Sequence, residues 1–241
     1  MTTWEDAALL FGAAFGAALV SGAAGFGGAL LLLPLLVRTV GPATAVPLLT
    51  VAQLIGNAAR VAFGFREIRW RPVLAFLAGA LPASVLGALA FVALPRPTVV
   101  RLIGAAILAF TLLRLSGWLA LRSGAATLVG GGIVTGLASG LVGSAGPLGA
   151  AVFLSLGLPP VAYVASEAAT ALAMHGVKMA VYGATIPLPR AAWGLALLMG
   201  GAMIGGTWVA KRWIAQMAPE RFRLFVAVLL VALALQMLIA G

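Results

Sequence analysis

The 241-residue chain has no cysteine and little charge, with only 8% Asp, Glu, Lys or Arg. The missing cysteine excludes disulfides, thiolate metal sites and thiol catalysis. A lone histidine without cysteine cannot build a zinc site unless several carboxylates join it. Scarce charge excludes an ordinary soluble domain, in which roughly 25% of residues are charged. The polar connections run to only a few residues, so no soluble domain sits between the apolar runs. The formal charge of +10 does not point to nucleic acid. Most Arg and Lys stand singly or in small clusters at segment ends, where they anchor to lipid headgroups and set topology. The acidic start, Met1 to Asp6, lacks the basic region of a cleavable signal peptide and reads as the start of the mature protein.

What is abundant is apolar: 63% of residues, with a mean hydropathy of +1.16. Stretches of about 18 apolar residues read as membrane-spanning helices. The 31 glycines and 13 prolines agree, since both are commoner in spanning helices than in soluble ones. The glycines are not evenly spread. A ladder, Gly22, Gly25, Gly28, recurs as Gly143, Gly146, Gly149, each 121 positions later. Glycine inside a helix costs about 1 kcal/mol against alanine, so such clusters mark a broken helix or a close backbone approach. In lipid, a broken helix is tolerated only where protein or a wet cavity satisfies its backbone. Tight packing through small residues is the plainer reading. It leaves unexplained why each cluster precedes a buried polar helix.

Apolar segments at 7–21 and 26–37 flank the first cluster, followed by 43–63, 73–94 and 99–120. After residue 123 the order repeats with 126–142, 147–157, 160–182, 191–210 and 222–240. At 1.5 Å per residue, the segment 26–37 reaches only about 18 Å, short of a hydrocarbon core of about 30 Å. The segments beside the glycines therefore read as hairpins, and each half has an odd number of crossings. With the N-terminus outside, the inner connections hold nine basic residues: Arg66, Arg69, Arg71, Arg114, Arg122, Lys211, Arg212, Arg221 and Arg223. The outer ones hold Arg38, Arg96, Arg101 and Arg190, as the positive-inside tendency requires. If each hairpin region were one crossing, the halves would lie parallel, with the Lys211-to-Arg223 cluster outside. The expected fold is an all-α, polytopic transmembrane bundle of two inverted repeats, residues 1–122 and 123–241. Each repeat is a glycine-broken helical hairpin plus three spanning helices, and both termini lie outside.

Ionisable groups at membrane depth are costly and mark functional sites. The span 43–63 carries Thr50, Gln53, Asn57 and Arg60, and 160–182 carries Ser166, Glu167, Thr170, His175 and Lys178. Placing Asn57 on His175 also places Arg60 on Lys178, so each half offers a polar donor and a cation at i and i+3 on one helical face. Two cations, neutral donors and the amides of broken helix ends suit an anion at the midplane between the repeats. The expected substrate site comprises Gly25, Gly27, Gly28, Gln53, Asn57, Arg60, Ser144, Gly146, Thr170, His175 and Lys178. The alternative is that Arg60 and Lys178 snorkel to the interface. Glu167 is the sole carboxylate inside a span. It stands as a proton-coupling group with His175, as a structural partner of Lys178 or His175, or as an interfacial residue.

No enzyme is expected. A rhomboid-like protease needs G-x-S-G, but Leu137 precedes Ser139 where that glycine belongs, and Ala145 follows Ser144. Neither glycine cluster continues into the Gly-Lys-Ser/Thr of a phosphate-binding loop. Gly25-Phe-Gly27-Gly28-Ala-Leu-Leu-Leu-Leu-Pro34 resembles the opening signature of the sulfite exporter TauE/SafE family. Gly143-Ser-Ala-Gly146-Pro-Leu-Gly149 and the region around Thr170 resemble its second repeat. The second copy departs from the pattern, with Pro147 and Leu148 in place of glycines and Ser155 in place of a proline. The resemblance covers essentially the whole chain and implies a bacterial inner-membrane permease for sulfite, an organosulfonate or thiosulfate. A passive anion channel and a non-transporting scaffold remain the rival readings. The implied partners are a small anion, the lipid bilayer and a coupling proton or sodium, without a cofactor or metal; a homo-oligomer is compatible with the sequence.

Overall fold

A computed structural model of the chain describes residues 4–90, 105, 108, 124–142, 146–183 and 190–240. Ser144, the repeat boundary at 122/123 and the expected span 99–120, apart from residues 105 and 108, lie outside them. The described residues are all-helical: α1 (Trp4–Ala24), α2 (Gly28–Val40), α3 (Pro42–Phe63), a 3-10 turn (Phe65–Glu67), α4 (Trp70–Ala90), α5 (Ala125–Val142), α6 (Gly146–Leu154), α7 (Pro160–Gly183), α8 (Arg190–Ile214) and α9 (Pro219–Ala240). Three of these helices, α1, α4 and α8, contain runs long and apolar enough to cross a membrane. The arm before the first glycine cluster is thus longer than its apolar run at 7–21. It is a 21-residue helix, about 31 Å long at 1.5 Å per residue. The short members are those after each cluster, α2 with 13 residues and α6 with 9.

Glycine makes the breaks. Gly25 and Gly27 adopt φ of 89° and 97°, the left-handed region that other L-residues resist. This turn ends α1 and starts α2, whose first amides have no side-chain cap. Gly41, at φ 77°, then hands α2 to Pro42, which opens α3 with the backbone angle a helix start favours.

Packing exchanges helices between the halves. α1 lies along α8 and α4 along α5, and these are the two most extensive packings among the described residues. One apolar cluster joins Leu10, Leu32, Leu36 and Leu48 of the first half to Met199 and Met203 of α8. The other joins Phe153 and Tyr163 of the second half to Val73 and Phe76 of α4. The first cluster is built from α1, α2 and α3 with α8, and the second from α4, α5, α6, α7 and α9 with the ends of α1 and α8. Small residues permit this. A Cβ on Gly132 would meet the Phe76 carbonyl, one on Gly136 the Ala80 carbonyl, and one on Gly87 the Leu137 carbonyl. Membrane helices gain van der Waals contact through such close approach, since apolar burial drives nothing in lipid.

Between the two clusters α3 packs on α7, bringing the two polar helices together. Leu74, Leu86, Leu197, Leu224 and Ile239 are exposed on the outside, as a lipid-facing surface would be. Trp4, Trp70, Trp193 and Trp213 stand exposed near helix ends, where aromatic belts form.

Candidate functional site

Arg60 sits on α3 one turn before its C-terminus, yet its side chain is only 4% exposed, so it does not snorkel. Its guanidinium turns inward to the end of α1. One terminal nitrogen donates to the Ser21 carbonyl at 3.1 Å and to the Gly25 carbonyl at 2.5 Å. The Ser21 oxygen also accepts from the Gly25 amide at 2.8 Å, and both oxygens lie at the negative end of the α1 dipole. The other terminal nitrogen donates to Asn57 Oδ1, and Asn57 Nδ2 donates to the Gln53 carbonyl at 2.8 Å. The face Gln53–Asn57–Arg60 is thus a single hydrogen-bonded row on α3.

Across from it, Glu167 of α7 is 2% exposed and lies 3.5 Å from Arg60. It is buried rather than interfacial, and its ion pair is with Arg60 rather than with Lys178 or His175. Arg60 is its partner because α3 and α7 pack side by side, which no spacing along the chain specifies. Lys178 is also buried, at 1% exposure. Its amine donates to Ser139 Oγ on α5 at 2.9 Å. The two cations make matching contacts, each reaching a serine 39 positions earlier: Arg60 the Ser21 carbonyl, Lys178 the Ser139 hydroxyl.

A cavity of about 30 Å³ lies among these groups, bordered by Ser21, Gly25, Phe26, Gly27, Gly28, Gln53, Asn57, Arg60, Ser139, Gly146, Glu167, Met174 and His175. Most of the residues expected at the site meet here. Lys178 and Thr170 do not line it: Lys178 stands behind Ser139, and Thr170 turns its hydroxyl to the Glu167 carbonyl at 2.7 Å. The N-terminal turns of α2 and α6 both border the cavity, and a Cβ on Gly146 would lie 3.3 Å from Phe26 Cβ. The first glycine turn and the start of α6 are therefore in contact. Three nitrogens on residues lining the cavity, Gln53 Nε2, Arg60 Nε and His175 Nδ1, are buried without a hydrogen-bond partner among the described residues. Buried polar groups are nearly always paired, so orphans gathered at one cavity mark it as a place for a polar guest.

Residues 10–237 match the family described as sulfite exporter TauE/SafE. The chain belongs to the sulfite exporter TauE/SafE family. It is therefore an integral membrane protein of a family of transporters rather than of enzymes, as the resemblance of its glycine motif implied. No curated protein and no solved structure matches it. In this TauE/SafE chain two cavity residues escaped the sequence reading, Ser21 and Ser139. Their separation of 118 equals that of Asn57 and His175 and of Arg60 and Lys178, a signal that was available to find them.

Proposed function

We propose that this TauE/SafE chain is a secondary transporter that binds a small sulfur-containing anion, such as sulfite or an organosulfonate, between its two repeats and exports it across a bacterial inner membrane. The observation that carries the reading is the set of orphaned nitrogens of Gln53, Arg60 and His175 around one buried cavity, bordered by two helix N-termini. Donors without acceptors, a guanidinium and amide dipoles all favour negative charge. The Gly25, Gly27, Gly28 and Gly146 breaks let backbone approach the guest. Lys178 acts through Ser139.

Glu167 supplies the coupling. One guanidinium cannot neutralise both a carboxylate and an anion in a dry site. An anion arriving at Arg60 therefore displaces Glu167, which takes up a proton, with His175 alongside to relay it. Anion and proton then move together. The cavity of about 30 Å³ has room for about two waters, while sulfite has four heavy atoms, so the helices part to admit it. A passive channel would need a continuous wet path.

The same packing supports the inverted topology. The turn holding Arg66 and Glu67 and the end of α8 holding Lys211 and Ala215 line one cleft, and so share a face. Four crossings per half would put them on opposite faces. An odd number, with inverted repeats and both termini outside, puts both inside and agrees with the distribution of basic residues.

The deciding experiment uses purified protein in proteoliposomes with labelled sulfite. A proton gradient is expected to concentrate sulfite against its own gradient. Flux only down the sulfite gradient would establish a channel, and absence of flux for sulfite, thiosulfate, taurine and sulfoacetate would leave a scaffold.

A further inference from the structure

The inner cavity does not stand alone. A cleft of about 630 Å³ opens on the face that holds Arg66 and Lys211. Between it and the inner cavity lies a pinch of about 10 Å³, which shares Phe63, Val161, Lys211 and Ile214 with the cleft and Arg60 with the inner cavity. Arg60 borders both the pinch and the inner cavity, and Lys211 borders both the pinch and the cleft. The two cations therefore bracket the narrowest point of one line of cavities. Lys211 is half-buried, and its amine donates to the Phe63 carbonyl at 2.5 Å, at the open C-terminus of α3. Helix-terminal carbonyls attract a cation, but an anion offers the same amine a full charge. The Phe63 contact is thus a resting place that an arriving anion can replace.

Two close helix approaches border the pinch. A Cβ on Gly64 would lie 2.5 Å from Ala165 Cβ, joining α3 to α7. One on Gly22 would lie 2.8 Å from Ala210 Cβ, joining α1 to α8. Small residues on both seams give the helices room to slide, so that opening the pinch comes down to moving Phe63 and Ile214.

We propose that the cleft is the anion's vestibule and that Lys211 is its first binding residue, passing small sulfonates and oxyanions through the pinch to Arg60. This rests on the anion-transport reading for its purpose, but the path itself is tested without any substrate. The chain lacks cysteine, so a single introduced thiol reports accessibility without background. Ala171→Cys places that thiol on the inner cavity, and Ser139→Cys is a near-isosteric second reporter should the first fold poorly. In membrane vesicles of each orientation, the rate of modification is measured with anionic 2-sulfonatoethyl methanethiosulfonate and with its trimethylammonium analogue.

Reaction from the Lys211 face is expected, faster with the anion than with the cation; labelling from the opposite face as well is what alternate opening requires, and the dependence of the ratio on Lys211 then decides. Lys211→Gln should lower the anion-to-cation rate ratio about tenfold, Lys211→Glu should reverse it, and Lys211→Arg should keep it. A thiol reached only from the opposite face, or from neither, overturns the proposal, as does a ratio indifferent to Lys211. Sulfite flux measured in parallel separates the two readings. Anion-selective labelling without flux sinks the transporter and keeps the path, whereas flux with Lys211-independent labelling sinks the path alone.

Discussion

At the scale of single residues, Arg60 sets the charge balance. It neutralises Glu167 and satisfies the carbonyls of Ser21 and Gly25. Removing one partner of a buried pair costs about 3–5 kcal/mol, because the other charge is left uncompensated. Glu167→Gln should fall near the lower end, about 3 kcal/mol, since Arg60 keeps its three oxygen partners. The same variant should lose gradient-driven accumulation of sulfite while retaining exchange of anion for anion. Normal accumulation by Glu167→Gln would place the coupling elsewhere. Arg60→Gln should weaken anion binding roughly ten- to hundredfold, the equivalent of one charge-assisted contact of about 1.5–3 kcal/mol. Lys178→Gln should weaken it less, because that amine reaches the cavity only through Ser139. Adding Glu167→Gln to Arg60→Gln should recover part of the stability lost by Arg60→Gln alone. Thermal unfolding in detergent and titration with sulfite measure these differences.

At the scale of elements, the seam between α4 and α5 depends on having no side chains. Gly136→Val would force a branched side chain against the Ala80 carbonyl, and overpacking of this kind costs typically about 1–3 kcal/mol. Gly130, on the same helix, has nothing within 4 Å of its notional Cβ. Gly130→Ala should therefore be neutral or stabilise by up to about 1 kcal/mol through helix propensity. Equal losses of melting temperature in the two variants would show that the seam is not what holds these helices. The break between α1 and α2 is fixed differently. Gly25 combines φ 89° with a Tyr163 ring carbon 3.1 Å from a notional Cβ. Gly25→Ala should therefore shift the carbonyl that Arg60 holds, reducing sulfite binding together with stability.

At the scale of the whole molecule, exchange of α4 and α8 makes the halves interdependent. Residues 1–122 expressed alone lack α5, on which α4 packs, and lack α8, on which α1 packs. They should aggregate on size-exclusion chromatography, and co-expression with 123–241 should restore a monodisperse complex. A stable, monodisperse first half would show that each repeat carries its own core. Reporter fusions should find both termini on the face opposite to Arg66 and Lys211, and termini on different faces would refute the inverted arrangement.

The sequence by itself determined the membrane class, the described helices to within a few residues, the register of the repeated glycine ladder and the family. All four rest on signals that neighbouring residues or a fixed repeat carry: apolar run length, glycine and proline punctuation, and the register of 121. It also named the polar rows on α3 and α7, because charge in an apolar span stands out without knowledge of its surroundings. Tertiary structure alone decided what those rows meet. Arg60 and Lys178 lie close enough to helix ends to snorkel, and only the neighbouring helices that enclose them fix them inward. Glu167 had several partners within reach along its own helix, and packing against α3 gave it one on another. Ser21 and Ser139 look like ordinary small helix residues until the glycine breaks place them beside a cation. The swap of α4 and α8 left no mark on periodicity, since a helix shows the same apolar face to its own half as to the other. Burial, partnership and cavity shape are properties of which helices adjoin, and in lipid that choice rests on close steric fit across long sequence separations.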